Sequence, residues 1–236
     1  MLMEHRSFLL HGILLAAGEG KRFSGIKQLA QINSCSLSAL VPLEQVPSEL
    51  APSGQVPSEL VPSKQAPTKP LTLIENACDT LLSLPLDSYC VMLGAHSQLI
   101  TPVLSPDVHY RVTQDWHKGM GHTLSQAMLD LPEKTSHVGI FLADQVKLKQ
   151  QHYETLIQSA RTHPNKIIAA RFNQRFAAPC IFPAQYFDDL RALDGDTGAK
   201  SIVKKNAQYV LGIDIPEAEL DIDTQEDLRE YLRQNS

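Results

Sequence analysis

Short apolar runs alternate with longer amphipathic segments along most of the chain. The apolar runs are rich in β-branched residues and predict strands at residues 12–17, 89–93, 109–112, 138–142, 166–171, 178–182 and 209–213. Apolar positions at helical spacing predict helices at residues 71–83, 97–103, 123–131, 150–163, 184–192, 199–206 and 224–234. This alternation is typical of βαβ units, so the pattern predicts an α/β fold with a mostly parallel sheet.

A five-residue unit interrupts this alternation at residues 41–70. It reads VPLEQ, VPSEL, APSGQ, VPSEL, VPSKQ and APTKP, with a proline in phase in every unit. A solenoid is excluded because each proline removes a backbone donor and fixes φ. We interpret the segment as a low-complexity insertion, in polyproline II or disordered form, within a single domain of residues 1–236. Recognition of the segment by a proline-binding partner is the alternative.

Composition narrows the class of protein. Apolar residues make up 43% of the 236 residues, which suffices for a buried core. A formal net charge of -5 and the absence of long Lys/Arg runs argue against a nucleic-acid partner. No stretch approaches the roughly 20 apolar residues of a membrane span, so no membrane association is expected. The four cysteines are widely spaced and form no C-x-x-C pair, which favours reduced thiols and a cytoplasmic location.

The strongest candidate for chemistry is the segment LLAAGEGKRFSGIKQL at residues 14–29, directly after the first predicted strand. Its glycines let the backbone approach a phosphate closely, and Arg22 and Lys27 supply positive charge. A tight strand-to-helix turn with two exposed cations is the structural alternative. A dinucleotide-binding turn is disfavoured because Phe23 replaces the third glycine of G-x-G-x-x-G. The segment therefore predicts a phosphate-binding loop.

Two aspartates occupy positions where ligands of α/β proteins often bind. Asp144 follows the predicted strand 138–142, at the carboxyl edge of the sheet. Asp223 immediately precedes the last predicted helix, and either it or Thr224 could cap that helix. A cap or a solvated turn is the structural alternative for each aspartate.

Two further segments are candidates for contacts with a substrate. The stretch at residues 119–124 leads into an apolar helix, so its free N–H groups could receive a ribose or a nucleobase edge. Trp116, the only tryptophan, either stacks on a substrate or fills the core. Asp196, in the segment GDTGAK, either contacts a substrate or caps the helix that follows.

The loop at residues 14–29 resembles the L-A-A-G-x-G-x-R-x-G-x-x-K-Q-L segment of the MobA-like NTP transferase family, specifically of the molybdenum cofactor cytidylyltransferases. Further matches occur in the family's order, at residues 119–124 (GMGHTL), 142–145 (LADQ), 195–200 (GDTGAK) and 221–224 (DIDT). The resemblance covers almost all of the chain outside the insertion. It implies a single Rossmann-like three-layer domain of the nucleotide-diphospho-sugar transferase type.

The resemblance also implies a role for each candidate residue. Arg22 and Lys27 would be catalytic. Asp144 and Asp223 would hold Mg²⁺. The nucleotide would be bound by Ala16, Ala17, Gly18, Gly20, Arg22, Lys27, Gly119, Gly121, His122 and Thr123.

Asp196 and Lys200 would face the acceptor. The sequence departs from the family pattern at Lys200, where arginine is usual, and at His122 and Thr123, where small hydroxyl residues are common. A lysine offers a point charge where arginine offers a planar fork.

The implied reaction is transfer of CMP from CTP to molybdenum cofactor, with release of pyrophosphate. The Ala16-Ala17-Gly18 start and the Lys27-Gln28 pair resemble the cytidylyl branch rather than the guanylyl branch. A molybdoenzyme or an insertion chaperone would be a protein partner. Two alternatives stay open: a transferase for another phosphorylated acceptor, such as a sugar phosphate or methylerythritol phosphate, and a non-catalytic cofactor carrier or chaperone.

Overall fold

The strands form a single seven-stranded sheet. The computed structural model describes residues 7–33 and 71–235, so the predicted insertion at 41–70 lies outside the described residues. The strands are β1 (Leu10–Ala16), β2 (Ser88–Leu93), β3 (Tyr110–Val112), β4 (His137–Leu142), β5 (Ile167–Phe172), β6 (Arg175–Pro183) and β7 (Val210–Asp214). Their order in the sheet is β3-β2-β1-β4-β6-β5-β7. Each predicted strand is present, with ends that differ by a few residues.

Helices cover the sheet. The α-helices are α1 (Leu73–Ser83), α2 (Ser97–Ile100), α3 (Met120–Ala127), α4 (Gln150–Thr162), α5 (Phe187–Arg191), α6 (Lys200–Lys205) and α7 (Gln225–Gln234). The prediction of a helix at 123–131 misplaced its start, because α3 begins directly after Gly119 and the chain continues as a 3₁₀ turn at Met128–Asp130. In front of α1 and α7, Thr72 and Thr224 form capping boxes that satisfy amides of the first turn.

The sheet is mostly parallel, as predicted, with β6 as the exception. Strand β1 pairs in parallel with β2 and β4, and β5 pairs in parallel with β7. Strand β6 runs antiparallel to both β4 and β5. The reversal is local, because β5 and β6 are joined by Asn173 and Gln174, which both have positive φ, as in the tight turns of β-hairpins.

Two apolar clusters lie on opposite faces of the sheet and give the fold three layers. Strand β1 is buried throughout, and its side chains alternate between the clusters: Leu10 and Leu14 face one, Ile13 and Leu15 the other. A strand buried on both faces occupies the centre of the sheet. The loop after β1 therefore starts from a rigid position.

A third apolar cluster ties the end of the chain to the loop after β1. It contains Phe23 of the loop together with Ile222 and Leu228, which flank the start of α7. Phe23 is 5% exposed and Ile222 is fully buried. Because Ile222 is anchored, the residue after it, Asp223, is held next to the loop.

None of the helices in residues 7–33 and 71–235 is both long and apolar enough to cross a membrane.

A histidine is buried at the amino-terminal end of β1, away from the loop that follows this strand. His11 is 6% exposed, and its Nδ1 lies 2.7 Å from Ser88 Oγ. Burial, with a smaller contribution from the charge of His109, lowers the pKa of His11 to about 4. The folded protein therefore keeps this imidazole neutral at pH values where the unfolded chain protonates it.

This burial predicts a loss of stability in mild acid. Between pH 7 and pH 5 the unfolded state takes up a proton at His11 and the folded state does not, so the contribution of His11 should lower the free energy of unfolding by about 2 kcal/mol over this range. Urea unfolding at the two pH values measures this change. Relative to the wild-type chain, the change in the free energy of unfolding between pH 7 and pH 5 should differ by about 2 kcal/mol in His11→Gln, whereas His163→Gln, at an exposed position, should match the wild-type chain. Equal pH dependence in both variants would contradict the assignment.

Candidate active site

The loop after β1 contains a tight turn at residues 20–23. Gly20 has a φ of 68° and its carbonyl accepts a hydrogen bond from Phe23 N at 2.7 Å. A β-carbon on Gly20 would lie 3.2 Å from Cβ of Lys27, and the positive φ itself favours glycine. The turn places Arg22 and Lys27 on the same side of the loop, toward the carboxyl edge of the sheet.

Lys27 connects two aspartates that are far apart in sequence. Its Nζ donates to Asp144 Oδ2 at 2.7 Å and to Asp223 Oδ1 at 3.1 Å. The side chains of Lys27 and Asp144 are only 14% and 22% exposed, so water screens this pair weakly. One ammonium group therefore gathers both carboxylates into one site.

The electrostatics of Lys27 follow from these contacts. Burial alone lowers the pKa of its ammonium, but the charges and hydrogen bonds of Asp144 and Asp223 outweigh burial and raise the pKa above its ordinary value. Lys27 is therefore a permanent cation at neutral pH. It serves as a source of positive charge and not as a proton donor.

Arg22 makes a second, more exposed contact with one of these carboxylates, that of Asp223. Its Nη2 donates to Asp223 Oδ2 at 2.7 Å, and the Arg22 side chain is 72% exposed. An ion pair this exposed adds little to stability. The side chain of Arg22 is therefore free to move to another anion at small cost.

The backbone fixes both aspartates. Ile222 N donates to Asp144 O at 3.0 Å, which joins the end of β4 to the segment before α7. Asp227 Oδ2 accepts from Asp223 N and Thr224 N, at 3.0 and 2.7 Å. Thr224 is the N-cap of α7, so the carboxylate of Asp223 is left for the loop.

The acidic pair has properties that suit a hard cation. Oδ1 of Asp144 is buried and has no hydrogen-bond partner among the described residues. Mg²⁺ prefers carboxylate oxygens and often takes only one or two from the protein, with the remainder from water and phosphates. In residues 7–33 and 71–235 no cluster of three or more His, Cys, Asp or Glu side chains could hold a metal. The two carboxylates fit an ion that is shared with a phosphorylated ligand.

A third carboxylate lies close to this pair. Burial first, and then the negative charge of Asp144, raise the pKa of Asp221 to about 6, although a hydrogen bond with Gln145 acts in the opposite direction. Asp221 Oδ1 is also buried without a partner among the described residues. The acidic side of the site thus carries more negative charge than Lys27 alone can balance.

These side chains line an open cavity of about 510 Å³. Its volume falls within the range of small-ligand sites, which span roughly 300–1,000 Å³. The loop after β1 forms one wall, and residues 116–123 with Asp196 form another. The predicted site residues on its lining are Ala16, Ala17, Gly18, Gly20, Arg22, Lys27, Gly119, Thr123, Asp144, Asp196 and Asp223.

Three predicted residues lie outside this lining. Gly121 is packed against the next loop, where a β-carbon would lie 2.4 Å from Thr197 O and 2.8 Å from Asp194 O. His122 Nδ1 lies 3.3 Å from Asp194 Oδ1. Lys200 is exposed at the first position of α6. Gly121 and His122 join the two segments that form this wall, and a direct role for any of the three in binding stays a prediction.

Several lining residues were not among the predicted site residues: Glu19, Lys21, Gln28, Leu73, His117, Met120 and Ala143. Trp116, for which stacking and core packing were both open, also lines the cavity and is half-buried. The signal that could have found it is its place after the carboxyl end of β3, the same sheet edge that Asp144 and the loop occupy. Gly94 makes room for it, because a β-carbon there would lie 2.5 Å from Trp116 Cβ.

Comparison with known sequences identifies the family. The profile of the MobA-like NTP transferase domain matches residues 64–210, more than half of the chain. The chain belongs to this family. The match includes Asp144 and the segments 119–124 and 195–200, whereas the loop after β1 and Asp223 lie outside it. Within this domain and in the segments that flank it, glycines, cations and carboxylates line one cavity.

Individual relatives agree with membership of the MobA-like family. The purine catabolism protein PucB of Bacillus subtilis (strain 168) is 32% identical over 98 residues, which cover 39% of this chain. The chain spans only 44% of the length of that relative.

Solved structures agree with the fold. Rv0371c from Mycobacterium tuberculosis H37Rv has a TM-score of 0.71 at 20% identity, over 96% of this chain and 98% of that one. A structure of the same protein in complex with manganese has a TM-score of 0.66 at 19% identity, over 96% and 99% of the two chains. At such identities the likeness concerns the fold alone.

The packing of Gly121 predicts how the cavity walls respond to substitution. Gly121→Ala would push a methyl group into backbone oxygens of the 194–197 loop, so the free energy of unfolding should fall by about 1–3 kcal/mol. Gly18→Ala is the matched control, because a β-carbon at Gly18 has no atom within 4 Å and should change stability by less than about 0.5 kcal/mol. Urea denaturation of both variants measures the difference. Equal stability of the two variants would show that Gly121 is not packed tightly against the 194–197 loop.

Proposed function

We propose that the protein is a Mg²⁺-dependent nucleotidyltransferase that transfers CMP from CTP to molybdenum cofactor and releases pyrophosphate. The observation that carries the proposal is the convergence of Arg22, Lys27, Asp144 and Asp223 on one cavity beside a glycine turn. Such a set suits a reaction in which the protein mainly positions phosphates and balances their charge. Membership of the MobA-like family supports the class of reaction.

The basic side chains would bind the triphosphate. Arg22, which is exposed and loosely paired, would contact the β- and γ-phosphates. Lys27, which is buried and always charged, would contact the α-phosphate, where negative charge develops during the transfer. The attacking phosphate oxygen of the acceptor is already ionised, so no side chain is needed as a general base.

Asp144 and Asp223 would hold the divalent ion. The unpaired, buried Oδ1 of Asp144 and the proximity of Asp223 support this assignment. The manganese complex of Rv0371c, a structural neighbour of the same fold, is consistent with it. A bound divalent ion would neutralise phosphate charge and align the two reactants.

The opposite wall would select the base and the acceptor. Gly119 and Thr123 lie on the cavity lining, where the nucleobase or the ribose of CTP would reach them. Asp196 lies on the same lining and would face the acceptor together with Lys200, which is not part of the lining. The Ala16-Ala17 start of the loop supports the choice of CTP. We propose a cytoplasmic location for the enzyme. A molybdoenzyme or its insertion chaperone would receive the product.

A panel of nucleotides and acceptors tests the proposal. The full chain is incubated with CTP, GTP, ATP or UTP, with Mg²⁺ and with molybdenum cofactor, a sugar phosphate or methylerythritol phosphate. Release of pyrophosphate and mass analysis of the product identify the reaction. We expect turnover with CTP and molybdenum cofactor. Turnover with another acceptor alone would replace the proposed substrate, and binding without turnover would favour a carrier or chaperone.

Removal of the first carboxylate should stop the reaction. Asp144→Ala should lower the rate of pyrophosphate release by at least about a thousandfold, roughly 4 kcal/mol of transition-state stabilisation, while the circular dichroism spectrum is unchanged. Asp214→Ala is the control, because Asp214 is exposed, pairs with Arg171 and does not line the cavity. Near-normal turnover of Asp144→Ala would contradict the metal assignment.

Lys27 should affect the rate more than the affinity for nucleotide. Its charge is most useful where negative charge increases, so Lys27→Ala should lower kcat by about a hundredfold and change the CTP dissociation constant much less. Stopped-flow single turnovers and calorimetric titration separate the two quantities. A variant that loses only affinity would assign Lys27 to simple binding of nucleotide.

A further inference from the structure

Gln28, next to Lys27, is buried and holds the backbone of the loop after β1. The residue is 5% exposed and lines the cavity. Its Nε2 donates to Ala16 O at 3.1 Å and to Gly18 O at 2.7 Å. The orientation of the amide is determined by these contacts, because a flipped amide would place Oε1 against two carbonyl oxygens.

The two hydrogen bonds complete a run of four carbonyl groups that face the protein. Leu15 O accepts from Ala143 N at 3.2 Å, and Ala17 O accepts from Ala95 N at 3.0 Å. Gln28 donates to the other two carbonyl groups of the run, those of Ala16 and Gly18. Among the described residues it is the only donor to the Gly18 carbonyl.

The backbone N–H groups of residues 18–22, in contrast to these carbonyl groups, have no partner among the described residues. These amides belong to the segment that lines the cavity. A run of backbone N–H groups that is left unpaired beside a cavity is suited to an anion with several oxygens.

We propose that Gln28 is a positioning residue for phosphate binding. By holding the carbonyl groups of Ala16 and Gly18 toward the protein, its side-chain amide keeps the N–H groups of the loop directed at the phosphate chain of the nucleotide. Gln28 acts through the backbone and touches no reacting atom. This inference rests on the proposed nucleotidyl transfer and adds to it the residue that shapes the phosphate site.

The proposal differs from a purely structural role in what it predicts. A structural glutamine would affect the stability of the fold and leave the affinity for phosphates unchanged. A positioning glutamine affects the affinity for any ligand that the loop amides hold, including pyrophosphate, which lacks base, ribose and acceptor. We assign to these neutral amides a contact that is the same before and during the transfer, in contrast to the charged contact of Lys27 with the α-phosphate, so KM should change more than kcat.

Two variants of Gln28 test the inference. Gln28→Met keeps the length of the side chain and removes both donors, and Gln28→Glu keeps its shape and places oxygen against the carbonyls. The control is Asn206→Leu, which removes an amide-to-carbonyl hydrogen bond, from Nδ2 to Ile202 O at 2.9 Å, away from the cavity. Calorimetric titration with CTP and with pyrophosphate, in the presence of Mg²⁺, gives the dissociation constants, and thermal unfolding gives the stability.

We expect Gln28→Met to raise both dissociation constants by at least about tenfold, Gln28→Glu to raise them further, and Asn206→Leu to leave them unchanged. In the wild-type chain, pyrophosphate should slow hydrogen exchange at residues 18–22. Wild-type affinity in Gln28→Met, equal losses in Gln28→Met and Asn206→Leu, or no slowed exchange in the wild-type chain would overturn the inference. If the wild-type chain and Gln28→Met bind and turn over CTP equally well, only the role of Gln28 is overturned. If the wild-type chain binds no nucleotide, the proposed function is overturned as well.

Discussion

The site depends on one buried ammonium group that lies between two carboxylates. Without Lys27, Asp144 and Asp223 would face each other at the edge of the sheet with only the exposed Arg22 to offset their repulsion. The same ammonium draws three distant parts of the chain together: the loop after β1, the end of β4 and the start of α7. The geometry of the cavity follows from this contact.

The sheet makes that contact possible at small conformational cost. Strands β1 and β4 are parallel neighbours, so their carboxyl ends lie side by side, and the loop after one strand meets the aspartate after the other. The last helix joins them through apolar packing of Ile222 and through the hydrogen bond from Ile222 N to Asp144 O. Rigid backbone on each side keeps the charged groups in place, so little ordering is needed when a ligand binds.

The charges are arranged so that a ligand can replace one set of contacts with another. Arg22 and Lys27 hold carboxylates that a divalent ion would also neutralise, and phosphates would in turn satisfy the cations. Under the proposed function, the metal would bind the carboxylates and the triphosphate would bind the cations, so the two ligands would be complementary. Under the inference for Gln28, its hydrogen bonds to Ala16 O and Gly18 O direct the backbone N–H groups of the loop toward the phosphates. These N–H groups are hydrogen-bond donors without net charge.

Much of the architecture was determined by the sequence alone. Alternating apolar runs predicted seven strands in an α/β fold, because burial on both faces demands continuous apolar residues whatever the rest of the chain does. Glycines and cations directly after β1 predict a phosphate-binding loop from local sequence, and the structure places this loop on the cavity. The antiparallel course of β6 was not predictable from apolar pattern, since the pattern records burial and not direction.

Only the tertiary structure decided which side chains meet. No local pattern states that Lys27 contacts both Asp144 and Asp223, because those contacts depend on strand order and on the packing of α7. For the same reason, the roles of Trp116 as a wall of the cavity and of Gln28 as a clamp on the loop could not be read from sequence spacing. Spacing fixes neighbours along a strand or a helix, whereas contacts between elements arise from the free energy of packing the entire sheet and its helices together.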